Sequence, residues 1–162
     1  MYQHLKHTIH PVYDAHSKLL ILGSFPSVKS RESAFFYGHP QNRFWQVISS
    51  VCGVALPETV EAKKKLLLQH HIALWDVIDE CDIIGSSDSS IKNVIPNDIS
   101  TILSSSEVTR VFVNGKTAER LYRQYIEPTT QIKAVYLPST SPANATWKLE
   151  KLIDKWRESL SQ

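Results

Sequence analysis

The sequence predicts an α/β fold, a three-layer α/β/α sandwich with a short central parallel sheet. Three observations lead there: short aliphatic runs that read as buried strands, helix-like stretches that alternate with them, and long polar loops where the runs end. Leu19 to Leu22, Ile72 to Trp75, Val111 to Val113 and Ile132 to Leu137 are the strand candidates, each brief and mostly aliphatic. Between them, helices are expected over Asn42 to Val51, Pro57 to His70, Asp98 to Ser104 and Lys116 to Ile126. The last helix has the plainest pattern. Leu149, Leu152, Ile153, Trp156 and Leu160 recur at helical spacing, with Lys, Glu, Asp and Arg between them. Such alternation favours parallel strands, because a parallel pair needs a long crossover and a helix supplies it.

At 162 residues and 18.4 kDa the chain suits one domain, 1–162, around one sizeable core. A 42% hydrophobic and 21% charged composition excludes disorder and collagen-like order. Eighteen Lys and Arg against 16 Asp and Glu leave a net charge of +2, so any contact with nucleic acid has to be local. Cys52 and Cys81 form no CxxC, which removes a zinc cage or iron–sulfur cluster and fits a reducing cytoplasm. The N-terminal stretch MYQHLKHTIHPVYDAHSK has no signal-peptide core. The longest apolar runs are four or five residues, against the ~20 that a bilayer helix needs, so no membrane contact is expected.

Several chemistries fall away on spacing. The five glycines stand singly at 23, 38, 53, 85 and 115, so neither GxGxxG nor the Walker pattern can occur, and no cofactor is expected. Ser24 lies in GSFPS rather than GxSxG. His4, His7 and His10 are three apart, yet Pro11 follows and HExxH is absent. They read as part of a solvated N-terminal segment, and no metal is expected.

In open parallel sheets, ligands sit beyond the carboxyl ends of the strands. The loops there are Gly23 to Gln41, Asp76 to Asn97, Asn114 to Thr117 and Pro138 to Thr146. The first, GSFPSVKSRESAFFYGHPQ, is long for a connector and dense in aromatic, basic and hydroxyl side chains, which is the signature of a functional loop.

Taken together, LLILGSFPS, YGHPQNRFW, VFVNGKTA and LPSTSPANA resemble the uracil-DNA glycosylase superfamily, closest to its hypoxanthine-DNA (deoxyinosine) glycosylase branch. The resemblance covers most of the chain. It implies a monofunctional enzyme of base excision repair that hydrolyses the bond between a damaged base and C1′ of deoxyribose, with no cofactor. Its partner would be DNA containing a deaminated base, and the enzyme would act as a monomer. A mismatch-specific uracil or thymine glycosylase and a non-catalytic module for damaged DNA are the alternatives.

The resemblance also implies roles for single residues. Asn42 would position water at C1′ and steady an oxocarbenium-like transition state, which a carboxamide can do without accepting the proton. The same Asn suits the N-cap of the helix after it. Tyr37 would stack on the everted base, with Phe25 as the opposite wall and Gly23 and Ser24 beside it, while Phe44 and Trp45 read as core. Superfamily members that cleave uracil often carry Asp or Asn where this chain has Phe25, so no carboxylate is obvious in the site. Asn114 would read the base edge, unless it is only the turn residue before Gly115. Ser139, Thr140, Ser141, Asn144 and Lys116 would hold the DNA backbone, with Lys29, Arg31, Arg43 and Lys92 adding positive field. The first four of these also suit a turn that caps the last helix. His39 would join the pocket or lock its loop.

Overall fold

The computed structural model describes residues 1–161. In chain order its elements are β1 (Gln3–Lys6), β2 (Leu19–Gly23), α1 (Val28–Ser33), α2 (Phe44–Cys52), α3 (Val60–Gln69), β3 (Ile72–Asp76), β4 (Ile78–Ile83), β5 (Lys92–Pro96), α4 (Ser100–Ser105), β6 (Arg110–Asn114), α5 (Lys116–Tyr125), α6 (Glu127–Thr130), β7 (Ala134–Leu137) and α7 (Leu149–Leu160). The four aliphatic runs become the central sheet, all parallel, in the order β3-β2-β6-β7.

The strands β2, β3 and β6 are largely apolar on both faces because both faces are covered, whereas the edge strand β7 buries Leu137 and leaves Val135 exposed. Ile21, Leu74 and Phe112 face a core built with Phe44, Val47 and Ile48 of α2, Leu66 and Leu67 of α3, and Leu152 and Trp156 of α7. Their neighbours Leu20, Leu22, Ala73, Val111 and Val113 point the other way, onto Ile102 of α4, Ala118, Leu121 and Tyr122 of α5, and Ile78, Cys81 and Ile83 of β4. Local chemistry trims the expected helices. Thr59 accepts the backbone N–H of Ala62 at 3.0 Å, so α3 begins at Val60 rather than Pro57. Gly53 ends α2 at φ 70°. No helix among the described residues is long and apolar enough to cross a membrane.

A second, antiparallel sheet, β1-β4-β5, lies outside the sequence-based reading. β4 carries Asp79, Glu80 and Asp82 between its apolar residues, and β1 and β5 are largely exposed, so none of the three shows a buried run. The expectation of a solvated N-terminal segment is corrected. β1 pairs with β4 from Gln3↔Ile83 to Lys6↔Glu80, Ile9 and Val12 enter the core, and His7 is buried.

The outer edge of this sheet is pinned by charge. His4 Nδ1 lies 2.8 Å from Asp82 Oδ1, and its Nε2 lies 3.1 Å from Glu80 Oε1. Hydrogen bonds to Asp82 and Glu80 raise the His4 pKa above its ordinary 6.5. The His4 bond lowers Glu80 below 4.5, while Asn93 and then His4 lower Asp82 below 3.8. The imidazole contribution is complete below pH 6.5 and fades as pH rises through the elevated value. The carboxylate contributions are complete above 4.5 and 3.8 and fade as pH falls through the depressed values. Protection factors of the β1 amides, exchange rates corrected for the intrinsic pH dependence, should therefore be highest between about pH 4.5 and 6.5, and His4→Ala should flatten that window.

Candidate active site

Parallel registry brings the carboxyl ends of the central strands into one row. Gly23 pairs with Asp76, Leu22 with Val113, and Asn114 with Leu137. Above this row lies a cavity of about 270 Å³, and Gly23, Ser24, Phe25, Tyr37, Asn42, Asn114, Ser139, Thr140 and Ser141 all line it. Asn144 and Lys116 are outside its wall. Residues from the connections after β2, β6 and β7 thus meet because the sheet is parallel and all three leave it at the same end.

Asn42 sits just before α2, and its Oδ1 accepts the Phe44 backbone N–H at 2.9 Å. The N-cap itself is Arg43, which makes no side-chain cap bond, so the capping expectation for Asn42 is corrected: it stands one residue before the cap, and its bond to the Phe44 N–H sets the plane of the carboxamide. One lone pair of Oδ1 and the amide hydrogens remain for a ligand. Tyr37 adopts φ 55°, uncommon for a residue with a side chain. Its ring stacks on Phe44 at 4.1 Å and 16°, with Phe44 wholly buried, so one face is covered. Burial holds the Tyr37 hydroxyl pKa well above its ordinary value, with the charge of Asp76 adding to the effect. The phenol stays protonated.

Gly23 permits this closeness. A Cβ there would stand 2.5 Å from Asp76 Oδ1 and 2.9 Å from the Tyr37 hydroxyl, distances no side chain tolerates. Phe25 is buried with its ring edge-on to His7 at 6.0 Å. Ser24 Oγ donates to Asp88 Oδ1 at 3.4 Å.

Two expectations change here. Asn114 Nδ2 donates to Thr140 Oγ1 at 3.0 Å and to the Tyr37 hydroxyl at 3.2 Å, and its Oδ1 accepts the Thr140 N–H at 3.1 Å. Both amide hydrogens are spent on holding the loop, so Asn114 is a strut in this conformation and offers no free donor–acceptor pair to a base edge. Thr140 is fully buried by the same contacts and cannot reach a phosphate. Ser139 and Ser141 are half-buried and keep their hydroxyl hydrogens, since each Oγ accepts a backbone N–H, from Ser141 and Ala143 respectively. The Asn144 amide donates inward to the Ser139 carbonyl at 2.9 Å, and Lys116 is exposed at the start of α5.

Arg43 has a role that its charge alone did not reveal. Its guanidinium donates to the carbonyls of Trp147, Ser141 (3.1 Å) and Asn144 (3.1 Å), and its backbone N–H donates to the Thr140 carbonyl at 3.0 Å. The loop after β7 is riveted to the start of α2. Arg31 is used similarly, donating to the carbonyls of Pro26 and Gly85. Lys29 pairs with Glu32, and Lys92 sits over the Tyr2 ring. The positive mouth expected of these residues is largely structural in its hydrogen bonding. His39 Nδ1 accepts the Gln41 N–H at 3.1 Å and locks its own loop at the cavity wall.

The expected lack of a carboxylate is also corrected, because Asp76 and Asp88 both line the cavity. Asp76 Oδ2 lies 2.8 Å from His7 Nε2, and the two side chains are only 5% and 2% exposed. Desolvation raises the Asp88 pKa against the opposing bonds of Ser24 and Thr117. Asp76 had a signal, since it ends an aliphatic run where ligands of parallel sheets sit. His7 had none, being 69 residues away in the chain.

Arg43→Ala should lower stability by about 2–3 kcal/mol in urea unfolding, because several charge-assisted bonds to half-buried carbonyls are lost together. Arg43→Lys should restore only part of this, as a single ammonium cannot span three carbonyls.

Residues 10–161 match the uracil DNA glycosylase superfamily. A Methanosarcina acetivorans protein named hypoxanthine DNA glycosylase is 34% identical over 138 residues, which cover 82% of this chain and 84% of that protein. A Methanosarcina barkeri protein of the same name is 34% identical over 109 residues, covering 65% and 68%. Among solved structures, the solution NMR structure of a Methanosarcina acetivorans protein assigned as a uracil DNA glycosylase superposes with a TM-score of 0.81 at 29% identity, covering 98% of this chain and 96% of the other.

Proposed function

Because this chain belongs to the uracil DNA glycosylase superfamily, we propose that it removes hypoxanthine from deoxyinosine in DNA, as the names of its Methanosarcina relatives indicate for them. It would act in base excision repair as a monomer, with the whole chain serving as a single catalytic domain. The unpaired thiols of Cys52 and Cys81 suit a reducing cytoplasm.

The observation that carries the chemistry is the Asn42 carboxamide, held in one orientation by Phe44 at the wall of a cavity that Tyr37 also lines. The target nucleotide leaves the helix stack, at a cost that is smallest at a mismatch or lesion, and enters this cavity. Its base lies on the face of Tyr37 that Phe44 leaves open, where aromatic stacking contributes roughly 1–3 kcal/mol. The bond from C1′ to N9 breaks with its electron pair going to the purine. A water held by the remaining Oδ1 lone pair of Asn42 adds its oxygen to the electron-poor C1′, and its proton passes to solvent. The purine anion takes up a proton, giving free hypoxanthine and an abasic site. Asn42 contributes position and dipole rather than proton abstraction.

The backbone of the DNA would rest on Ser139 and Ser141, which line the cavity, and on the exposed Lys116 at the start of α5, while the buried Thr140 and inward-bonded Asn144 shape the loop that carries the two serines.

Asn42→Ala should retain binding to an inosine duplex in fluorescence anisotropy and lose base release by about 10²–10³-fold. Release is read as alkali-induced strand cleavage across duplexes that carry inosine, uracil or xanthine. Cleavage of uracil but not inosine by the wild-type protein would overturn the substrate; unchanged release by Asn42→Ala would overturn the mechanism.

A further inference from the structure

Adenine and hypoxanthine differ along the edge that faces away from the sugar. In adenine, N1 is a bare acceptor beside an amino group. Deamination replaces the amino group with an oxo group and places a hydrogen on N1. A pocket that separates lesion from normal base therefore needs an acceptor aimed at N1, and one that cannot become a donor.

We propose that Asp76 is that acceptor, the residue that selects the lactam N–H of the deaminated base, and that His7 positions it. The inference rests on the hypoxanthine reading above. Four features of the site support it. Asp76 lines the cavity floor at the end of β3, and its side chain is only 5% exposed. An ionised carboxylate only accepts, so His7 Nε2 must be the donor to Oδ2, which fixes the plane of the group. The other oxygen, Oδ1, and the tip of the Tyr37 ring meet over Gly23, at 2.5 and 2.9 Å from the point a Cβ would occupy. A base stacked on Tyr37 thus lays its far edge against Oδ1. Finally, the obvious competitor is occupied, because both amide hydrogens of Asn114 are bound to Tyr37 and Thr140.

The selection is as much repulsive as attractive. Hypoxanthine gives Oδ1 a hydrogen bond, whereas adenine sets the N1 lone pair against a buried negative oxygen. The donor from His7 tempers the carboxylate's field, which matters when the departing purine carries charge. The pair sorts bases by the N1 hydrogen and no further, since guanine also has one.

The test compares wild type with Asp76→Asn on duplexes that carry deoxyinosine, deoxyadenosine or N1-methyldeoxyinosine, with base release as the readout and thermal unfolding confirming the fold. Wild type should release hypoxanthine at least about tenfold faster than N1-methylhypoxanthine. Asp76→Asn keeps an oxygen for His7 and turns its NH2 to the cavity. It should lower hypoxanthine release by about ten- to a hundredfold and reduce the hypoxanthine-over-adenine ratio. His7→Gln, which retains a donor to Oδ2, should preserve that ratio, and His7→Leu should lower it. Equal release of the N1-methyl base by wild type would overturn the proposal. So would an unchanged ratio in a folded Asp76→Asn. A wild-type protein that releases uracil and not hypoxanthine overturns the substrate reading instead, and Asp76 is then judged on the N3 hydrogen of uracil by the same variant.

Discussion

The guanidinium of Arg43 and the backbone N–H beside it join the start of α2 to four carbonyls of the loop after β7. That tie sets the shape of the cavity, because each component of the wall is placed by something already attached to it. Asn42 directly precedes Arg43, so its carboxamide inherits the position of the helix start. Thr140 lies on the tied loop and takes both ends of the Asn114 amide, which in turn donates to the Tyr37 hydroxyl. Beyond the Arg43 side chain, whose ordering is offset by its several bonds, the order of the site passes along backbone carbonyls and short polar side chains that are cheap to immobilise.

A buried carboxylate bonded to an imidazole that is itself surrounded by the rings of Phe25, Phe36 and Trp75 is an expensive arrangement for a small domain. Removing two polar groups from water costs several kcal/mol unless their partners are close and well oriented, and the 2.8 Å contact between Asp76 and His7 offsets part of that cost. The rest is met by geometry. β1 and the segment after it are carried across the domain by the second sheet, and Asn97 donates to the carbonyls of Asp76 and Ile78, steadying the strand end that bears the carboxylate. The added sheet is thus the support through which an N-terminal histidine reaches the floor of the cavity.

How far the sequence could be read depended on whether burial or pairing makes an element. β2, β3 and β6 were legible because both faces of each are covered, which forces continuous aliphatic runs, and β7 by its short aliphatic run ending in the buried Leu137. α7 was legible because one face is solvated and the other packs on α2 and the sheet. β1, β4 and β5 were not, since their cohesion comes from backbone ladders that leave little trace in side-chain pattern. The site divides along the same line. Tyr37, Asn42 and the end of β2 lie on loops whose composition marks them, and they do line one cavity. Asn114 and Thr140 were expected to meet ligands on the strength of the superfamily resemblance, and in this conformation the fold uses their polar groups internally.

By itself, the order of residues determined the four strands of the central sheet and the helices that cover it, that this sheet is parallel, and that the chemistry belongs at its carboxyl end. These follow from local periodicity and from the geometry of crossover connections. Which polar groups are free for a ligand, and which are consumed as struts, was decided only by the tertiary structure. A hydrogen bond is made with whatever lies within about 3 Å. Partners such as His7 and Asp76, distant along the chain, become neighbours only when two sheets are in place.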